Sequence, residues 1–572
     1  MKVIRYFLWI TFLAGIASCK KDKADFIYTE QPTQPPLTAS NVRYLNYGRK
    51  LVELAINGKL LTSAIPPDRD GYYGDANTKP TLYFPSGRMG SSFTIPQNMI
   101  LQDGTAFIQL GSMAYGTTAP YFEKSFSIKE DPVNPKDYYN VTYGPHMGQL
   151  LIDDSIFQVP RSVSPPADPS HFKVRLLNLG SAPDRAGLEG AFSLAWADGT
   201  LVDNKTNNVA SGAYSDYIEL PYGSYQFKVM TADGRQLPAV SPKDDIFNTV
   251  NPKTGTFYAR TGNTNDYWLV YAPLQTYLPG GVYTIVVSAN GYIWYPPGSI
   301  YPEGAVLNSY RVVADISNPV NVTYARIQAV NALPGSAINL LVDGKPIQEG
   351  SLGYSTASEF RSYITGTHTL EAIDAKGAVL AKQSMNLAGN DNFTAWVYSD
   401  ATGKPALALA ANNLSGGLYA GTSGDDGTYS HYKYPLTLSV RFLNLTTDLP
   451  EVTFTGDNGQ LFSATFGTSS AASQHLKQGQ VVAEQPYVIF PPALGISKIY
   501  AYGSQTGVLP GDWLRGIPAL SGTDFIARKE LYTSTPLPPF EYGVYTVALV
   551  GAVNPDAPVS RKAKMIIIKH NK

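Results

Sequence analysis

Cysteine is almost absent from this chain, because Cys19 is the only one in 572 residues. A single thiol cannot form a disulfide within the chain, so the fold must depend on burial of apolar surface. Charge is scarce too: 16% of the residues are charged, and 44 basic residues offset 45 acidic ones. That balance excludes the basic footprint of a nucleic-acid-binding protein, and we expect no nucleic acid among its partners.

Long apolar runs are missing beyond the N-terminus, where no stretch approaches the roughly 18 residues of a membrane-spanning helix. The N-terminus itself has a positive start and an apolar stretch over residues 6–16, which is too short to span a bilayer. Small residues then lead to the cysteine in the order Ile16-Ala17-Ser18-Cys19. This arrangement predicts an export signal over residues 1–18 that is removed by cleavage.

The residues around Cys19 resemble the lipobox of bacterial lipoproteins, in which the thiol receives a diacylglyceryl group and becomes the new N-terminus. An ordinary signal peptide with an incidental cysteine is the alternative. The resemblance implies that the membrane is a partner, held through acyl chains at Cys19. Each buried methylene contributes about 0.8 kcal/mol, so several chains anchor stably where one does not.

The segment after the cysteine, residues 19–38, is charged at first and then rich in proline, which predicts an extended lipidated tether. Its start, Ser18-Cys19-Lys20-Lys21-Asp22, is similar to lipoprotein starts of Bacteroidota. That similarity implies a lipid-anchored location at the outer membrane. It leaves open whether the protein lies on the cell surface or on the periplasmic face.

Glycine, proline and tyrosine are abundant, a profile typical of strands joined by many turns. Within this background a six-residue pattern occurs four times. The copies are Val42-Arg43-Tyr44-Leu45-Asn46-Tyr47, Val174-Arg175-Leu176-Leu177-Asn178-Leu179, Ile327-Gln328-Ala329-Val330-Asn331-Ala332 and Val440-Arg441-Phe442-Leu443-Asn444-Leu445. Each copy predicts a strand that enters a turn at its asparagine. The copies are a domain length apart, which predicts separate units in series.

Further strands follow each copy in a similar order. Asn57-Gly58 and Asp343-Gly344 predict hairpin turns, because both residue types tolerate positive φ. The strand at 366–372 alternates with period two, which predicts one face in a core and the other in water. Closing strands are predicted at 281–287 and 543–550.

Together these residues resemble the bacterial secreted family named domain of unknown function 4397. The resemblance is clearest in the second and third copies, and it implies immunoglobulin-like sandwiches. We therefore expect an all-β chain of tandem immunoglobulin-like antiparallel β-sandwich domains. Their predicted limits are 39–165, 171–300, 322–412 and 436–572.

Catalytic motifs are absent from the sequence. It contains no Gly-x-Ser-x-Gly elbow, no His-Glu-x-x-His and no Gly-Lys followed by Ser or Thr, and its six histidines are scattered. We predict no catalytic residue, no metal and no cofactor, so the chain is not expected to be an enzyme. Paired carboxylates brought together from distant strands are the alternative that stays open.

Aromatic residues give the remaining hint of a ligand. Trp268, Tyr271, Trp294 and Tyr295 flank the closing strand of the second unit and are the candidate ligand-binding residues. Exposed rings can stack on a sugar or anchor a protein interface, whereas buried rings fill a sandwich core. The recurring Arg and Asn positions are interpreted as parts of a turn that every copy requires.

Two hypotheses from different classes follow, with a third beside them. The leading one is a non-enzymatic, lipid-anchored cell-envelope protein whose tandem modules serve adhesion, scaffolding or interaction with envelope proteins. The competing one is a glycan-binding accessory lipoprotein of a polysaccharide-uptake system. The third is a fimbrial-type subunit, in which the last strand, Ala563–Lys569, is exchanged between chains.

Overall fold

In the computed structural model of the protein, strands make up 54% of the described residues, and the α-helix found among these residues is one short segment. The all-β, tandem-sandwich prediction is confirmed. The structure describes residues 38–48, 51–62, 81–84, 87, 89–113, 120–142, 154–181, 188–240, 250–251, 256–257, 272, 274–294, 303–316, 321–412, 414, 438–466, 468–490, 498–505, 507–531 and 540–572. None of the helices in these ranges is both long and apolar enough to cross a membrane.

Unit 1 is a sandwich whose first layer is four strands of an eight-stranded sheet that continues into unit 2, and whose second layer is a four-stranded sheet. Its strands are β1 (Ala39–Tyr47), β2 (Glu53–Ile56), β3 (Lys59–Leu60), β4 (Ser92–Pro96), β5 (Thr105–Met113), β6 (Pro120–Lys129), β7 (Lys136–Thr142) and β8 (Asp154–Pro160), with a 3₁₀ turn at Gln97–Met99. The first sheet has the order β4-β1-β7-β8 and the second β3-β2-β5-β6. Apolar side chains such as Val42, Leu54 and Ile108 fill the space between them.

Unit 2 repeats the first sheet as β11-β9-β17-β18, while its second layer is formed by short strand pairs. Its strands are β9 (His171–Leu179), β10 (Phe192–Ala195), β11 (Ile218–Pro221), β12 (Gly223–Tyr225), β13 (Lys228–Thr231), β14 (Val250–Asn251), β15 (Thr256–Phe257), β16 (Gln275–Tyr277), β17 (Val282–Trp294) and β18 (Glu303–Ile316), with a 3₁₀ turn at Asn204–Thr206. Phe172, Phe227 and Tyr277 form an aromatic core between the layers.

Unit 3 has the most regular pair of sheets, β22-β19-β25-β26 and β21-β20-β23-β24. Its strands are β19 (Tyr324–Asn331), β20 (Ile338–Val342), β21 (Lys345–Pro346), β22 (Arg361–Ile364), β23 (Gly366–Asp374), β24 (Val379–Leu387), β25 (Asn392–Ser399) and β26 (Pro405–Ala411). Leu370 and Ala372 of β23 face the core, while Thr367 is exposed and Thr369 is half-buried. The alternation predicted for this strand is therefore confirmed.

Unit 4 combines β30-β27-β34-β35 with β29-β28-β31-β32, to which β33 adds at β31. Its strands are β27 (Leu438–Thr446), β28 (Glu451–Thr455), β29 (Leu476–Lys477), β30 (Tyr487–Phe490), β31 (Lys498–Gln505), β32 (Val508–Trp513), β33 (Leu520–Ser521), β34 (Gly543–Gly551) and β35 (Lys564–Lys569). The helix α1 (Phe462–Phe466) and the 3₁₀ turns Asp457–Gly459, Ser470–Ala472, Gly522–Phe525, Lys529–Leu531 and Val559–Arg561 complete it.

The first sheet has the same topology in every unit. The strand that carries the six-residue pattern pairs in parallel with the next-to-last strand, as β1 with β7, β9 with β17, β19 with β25 and β27 with β34. The last strand then returns antiparallel to the next-to-last one. One parallel pair per unit is thus a departure from a purely antiparallel sandwich, and it is possible because the second sheet supplies the long crossover connection.

Tight turns occur where the sequence predicts them. Asn57 and Gly58 join β2 to β3 with φ of 51° and 77°, and Asp343 and Gly344 join β20 to β21 with φ of 51° and 76°. Positive φ at both central residues is the backbone of a type I′ hairpin, which Asn-Gly and Asp-Gly favour. These two turn predictions are confirmed.

The units are packed against one another in two pairs. The outer face of the first sheet of unit 1 meets that of unit 2, and the same faces of units 3 and 4 meet in the same way. The residues that form the first interface are Leu45, Tyr47, Tyr139, Val141, Val159, Leu177, Leu179, Val286 and Val313. The units are therefore joined by buried surfaces and are not independent domains connected only by linkers.

The two pairs are also joined to each other. Apolar residues of units 2 and 4 belong to one continuous core cluster. At this junction the backbone N–H of Gln226 donates to the carbonyl of Lys572 at 2.8 Å, and the Asn571 amide donates to the side chain of Gln226 at 3.1 Å. Lys228 and Glu541 form a buried ion pair at 3.3 Å. The end of unit 4 is thereby fixed to unit 2.

Candidate functional site

Most of the candidate residues from the sequence lie outside the described part of the chain. Cys19, Trp268, Tyr271 and Tyr295 belong to that group. Trp294 is the last residue of β17, where its backbone pairs with Glu303, and its side chain lies outside the described part. The roles assigned to these five residues therefore stay predictions.

Metal binding finds no support in the described ranges, which contain no group of three His, Cys, Asp or Glu side chains able to hold an ion. His368 of β23 has both ring nitrogens in contact with other residues of unit 3. Its Nδ1 lies 2.7 Å from a carboxylate oxygen of Asp343, and its Nε2 lies 2.7 Å from the carbonyl of Ile364.

The recurring asparagine is a buried connector between loops. In unit 3 the Asn331 amide donates to the carbonyls of Ser336 and Leu352 at 2.7 and 2.9 Å, and its Oδ1 accepts from the N–H of Leu333 at 2.9 Å. Asn178 and Asn444 make the same kind of bonds in their units. All three are fully buried, so they satisfy backbone groups of the fold and have no free surface for a ligand.

The second position of the six-residue pattern faces the partner unit, together with two further positions. One is its in-register neighbour on the next-to-last strand, and the other lies at the end of the last strand. We call these three positions the pairing triad. The triads are Arg43, Asp137 and Arg161 in unit 1, Arg175, Thr284 and Asp315 in unit 2, Gln328, Thr394 and Asn412 in unit 3, and Arg441, Thr546 and His570 in unit 4. All are buried except Arg161, which is half-buried.

The triads of units 1 and 2 meet as a charged cluster. The Arg43 guanidinium forms ion pairs with Asp137 of its own unit and Asp315 of unit 2, and it also donates to the carbonyl of Ala314 at 2.9 Å. Asp315 accepts further hydrogen bonds from Thr284 at 2.6 Å and from Tyr217 at 3.1 Å. One arginine thus holds a carboxylate from each unit across the interface.

Burial and charge act in opposite directions on this cluster. Burial raises the pKa of Asp137, while Arg43 and Arg161 act to lower it. For the Arg43 guanidinium, burial alone would lower the pKa, but Asp137 and Asp315 raise it above its ordinary value. The cluster is therefore stable as an ionised group only while both signs of charge are present.

Arg175 of unit 2 is held by aromatic rings. Its guanidinium carbon lies 4.7 Å from the ring centroid of Tyr217 and 5.2 Å from that of Tyr214, and its Nε donates to Thr284 at 3.1 Å. Cation–π contact on a desolvated arginine is worth about 2 kcal/mol. Arg441 of unit 4 uses Tyr487 in the same way, at 4.8 Å.

The triads of units 3 and 4 meet as a largely neutral cluster. Arg441 donates to Asn412 at 2.9 Å, which joins unit 4 to unit 3. His570 Nδ1 lies 3.2 Å from the Gln328 Oε1, and its Nε2 lies 2.7 Å from the Thr546 hydroxyl. A ring with its hydrogen on Nδ1 satisfies both contacts, because Nδ1 then donates to the amide oxygen and Nε2 accepts from the hydroxyl.

Acid is expected to destabilise this second interface through His570. Burial, with Arg441 adding to it, lowers the pKa of His570 well below its ordinary value. The ring therefore protonates more readily in the unfolded chain, where its pKa is about 6.5. Its stabilising effect is complete above that pH and is lost as the pH falls, by up to about 1.4 kcal/mol per pH unit.

The measurement is the unfolding midpoint of the full chain at pH values from 7.5 to 4.5. His570→Gln removes the titrating ring and should flatten the part of the curve that begins near pH 6.5. His475→Gln is the matched control, because this half-exposed histidine pairs with Glu451 away from the interface. An equal slope in the wild type and in His570→Gln would contradict the prediction.

An exposed aromatic surface occurs on the second sheet of unit 4. Its residues are Tyr500, Tyr502 and Trp513, which we call the unit 4 aromatic face. Tyr502 lies opposite Trp513 in the β31–β32 ladder, so both side chains stand on the same side of the sheet. Tyr500 meets Trp513 edge-on with 6.1 Å between ring centroids. Trp513 is 48% exposed, whereas Ile499 and Ala501 point into the core.

One cation contacts this face. The Arg515 guanidinium carbon lies 5.5 Å from the centroid of the Trp513 ring. The side chain of Arg515 is exposed, and no carboxylate of the described residues forms an ion pair with it. This face is not among the candidate sites predicted from the sequence. Its signal was the alternation in Ile499-Tyr500-Ala501-Tyr502, which places small or aliphatic residues inside and tyrosines outside.

Comparison with known proteins gives no family: no protein-family model matches the chain, and no curated protein matches it. The resemblance to the domain of unknown function 4397 family rests on the recurring residues and stays a prediction. The features that bear on function are therefore the lipobox-like sequence, the paired units and the unit 4 aromatic face.

Proposed function

We propose that this chain is a non-enzymatic, lipid-anchored cell-envelope protein that displays paired β-sandwich units for interaction with other envelope or surface molecules. The main support for this proposal is that the buried polar side chains bond to the neighbouring unit or to loop backbone. The pairing triads are turned toward the partner unit, and the buried asparagines satisfy loop backbone. These groups hold the units together, as expected for a scaffold protein.

Packing adds a mechanical argument. The faces that join units 1 and 2, and units 3 and 4, are sealed by apolar residues, and the two pairs are tied through Gln226 and Asn571. A body joined at three interfaces resists bending more than separate domains on linkers do. Such a body can hold a binding surface at a fixed distance from a membrane anchor. Adhesion and scaffolding both need that property.

The anchor is tested by Cys19→Ser. Cells that express the wild-type chain should incorporate a fatty-acid label into the protein and retain it in the membrane fraction. The serine variant lacks the thiol that would carry the acyl chains, so it should lose the label and move to the soluble fraction. Fractionation followed by gel detection of the label measures both effects.

Ser18→Ala is the matched control for the anchor experiment, because it keeps a small residue beside an intact cysteine and should keep both label and membrane retention. Membrane retention of unlabelled Cys19→Ser would contradict the lipid anchor. Protease treatment of intact cells then separates the two locations. Digestion of the protein supports display on the cell surface, and complete protection supports a periplasmic scaffold.

Glycan binding is the second candidate function, and one observation favours it. The unit 4 aromatic face presents a half-exposed Trp513 ring in contact with a cation, and exposed aromatic surface of this kind can stack on sugars. The fimbrial alternative has a different requirement. Its exchanged strand is β35, which pairs with β34 and buries Ile566 and Ile568 against unit 3, so exchange would have to open both contacts.

A further inference from the structure

We infer that the unit 4 aromatic face binds an acidic polysaccharide, a polymer whose sugars carry carboxylates. The inference rests on the glycan-binding candidate and is independent of the lipid anchor. The indole of Trp513, which is 48% exposed, is the central contact. A sugar ring carries C–H groups on its faces and hydroxyls around its rim, so it can lie against an aromatic ring and keep its hydroxyls in water.

The orientation of the neighbouring rings keeps Trp513 available. Tyr500 is T-shaped to Trp513, with 77° between the ring planes, so it supports the indole from the side and does not cover it. Tyr502 is half-buried in the ladder beside it. Its ring rests near the turn at Gly459, where a Cβ would stand 3.4 Å from the Tyr502 hydroxyl oxygen. The platform is thus held by the sheet before any ligand arrives.

Charge complementarity selects the class of sugar. Arg515 is the charged side chain in contact with the Trp513 ring, and it has no carboxylate partner among the described residues. A guanidinium donates two parallel hydrogen bonds to a carboxylate, which makes arginine the preferred residue for that group. A uronic acid stacked on Trp513 would bring its carboxylate within reach of Arg515. A neutral sugar would leave this cation without a partner.

The size of the face argues for a polymer over a folded protein. Stable protein interfaces involve roughly 20–30 residues on each side and are anchored in packed central pockets. The unit 4 aromatic face consists of three rings on two strands, and the central ring, Trp513, is half-exposed at the surface. A chain of sugars needs only a few stacking contacts at a time.

The test is calorimetric titration of the full-length protein, purified from membranes in detergent. The acidic polymers are polygalacturonate, alginate and hyaluronan, and the neutral ones are dextran and glucomannan. At least one acidic polymer should bind, and more weakly at 1 M than at 0.15 M salt. Trp513→Ala should weaken that binding about tenfold or more. Arg515→Gln should reduce the affinity for the acidic polymer to that for a neutral one.

Tyr121→Ala is the matched control, because Tyr121 is a 64% exposed aromatic residue on unit 1. It should leave binding unchanged, and the unfolding midpoint of every variant should equal that of the wild type. Binding of neutral polymers alone would overturn the inference and keep the glycan-binding candidate. Acidic binding that Trp513→Ala does not weaken would place the site elsewhere and overturn the inference. No binding to any polymer would overturn both.

Discussion

Arg43→Ala is expected to destabilise the interface between units 1 and 2 by about 3–5 kcal/mol, because it leaves Asp315 buried without its cation and Asp137 with Arg161 alone, at 3.4 Å. The change should appear as a lower unfolding midpoint in calorimetry, by about 2–4 °C for each kcal/mol. Hydrogen exchange should localise it, with faster exchange in β1, β7 and β18 and little change in unit 3.

Two further variants separate charge from simple truncation. Arg235→Ala removes another arginine that pairs with an aspartate, but Asp233 is mostly exposed, so the expected cost is below about 1 kcal/mol. The triple change Arg43→Met, Asp137→Asn and Asp315→Asn removes the charges of these three residues and should recover much of the lost stability, while half-buried Arg161 keeps its hydrogen bond to the Asn41 carbonyl. Equal destabilisation by Arg43→Ala and Arg235→Ala would contradict a role for the buried cluster.

The pH dependence of this variant has a definite sign. Burial raises the pKa of Asp137 above its unfolded value of about 3.9, and Arg43 acts against that rise. Removing Arg43 therefore raises the pKa further, and the carboxyl is favoured in its protonated, uncharged form in acid. A raised native pKa gives stability at low pH that is lost as the pH rises through it. The deficit of Arg43→Ala should thus be largest near neutral pH and smaller near pH 5.

The sequence predicts local structure well, because local structure is set by short-range pattern. The strand over Val42 to Tyr47 and the turns at Asn57-Gly58 and Asp343-Gly344 follow from residue type and spacing alone. The buried asparagines are parts of turns as predicted, whereas Arg43 and Arg441 bond to the partner unit, so the turn predicted for the recurring arginines is wrong. The Oδ1 atoms of the asparagines bind backbone N–H groups two residues on, as in Asn331 to Leu333, which is the local bond that asparagine favours in turns.

The second buried face of the patterned strands could not be predicted from the sequence. In β1, Val42 and Tyr44 face the unit 1 core, while Leu45 and Tyr47 are buried by unit 2. Only tertiary packing supplies that second surface. The partner of Arg43 is likewise remote, since Asp315 is 272 residues away in the chain. No spacing rule relates such residues.

The aromatic residues illustrate the same limit. Trp and Tyr in a strand can point to a core or to water, and composition does not decide between these outcomes. Trp396 is fully buried between units 3 and 4, whereas Trp513 stands open on unit 4. The difference arises from which sheet face receives a partner unit. The aromatic face therefore became visible only when the strand register and the packing of the units were known.

Because the two interfaces differ in charge, Gln328→Arg is expected to cause a large loss of stability. Gln328 is in register with Thr394 and contacts His570, while Arg441 of unit 4 lies in the same cluster. An arginine at this position would place a second guanidinium in a buried site without a carboxylate. We expect a loss of about 3–5 kcal/mol, measured as a lower unfolding midpoint with faster hydrogen exchange in β25 and β34.

Thr394→Asp provides the rescue, because it reproduces in unit 3 the register that joins Arg43 to Asp137 in unit 1. The double variant should therefore be more stable than Gln328→Arg alone, because the new carboxylate pairs with the introduced guanidinium. Gln328→Met is the size control and should cost less, since it loses hydrogen bonds but adds no charge. If the two single changes are simply additive, charge matching does not govern the triads. A coupling free energy of about 1 kcal/mol or more shows that charge matching governs these three positions. They match unit 1 to unit 2 by charge, and unit 3 to unit 4 by neutral polar groups. This difference would disfavour exchange of partner units between the two pairs.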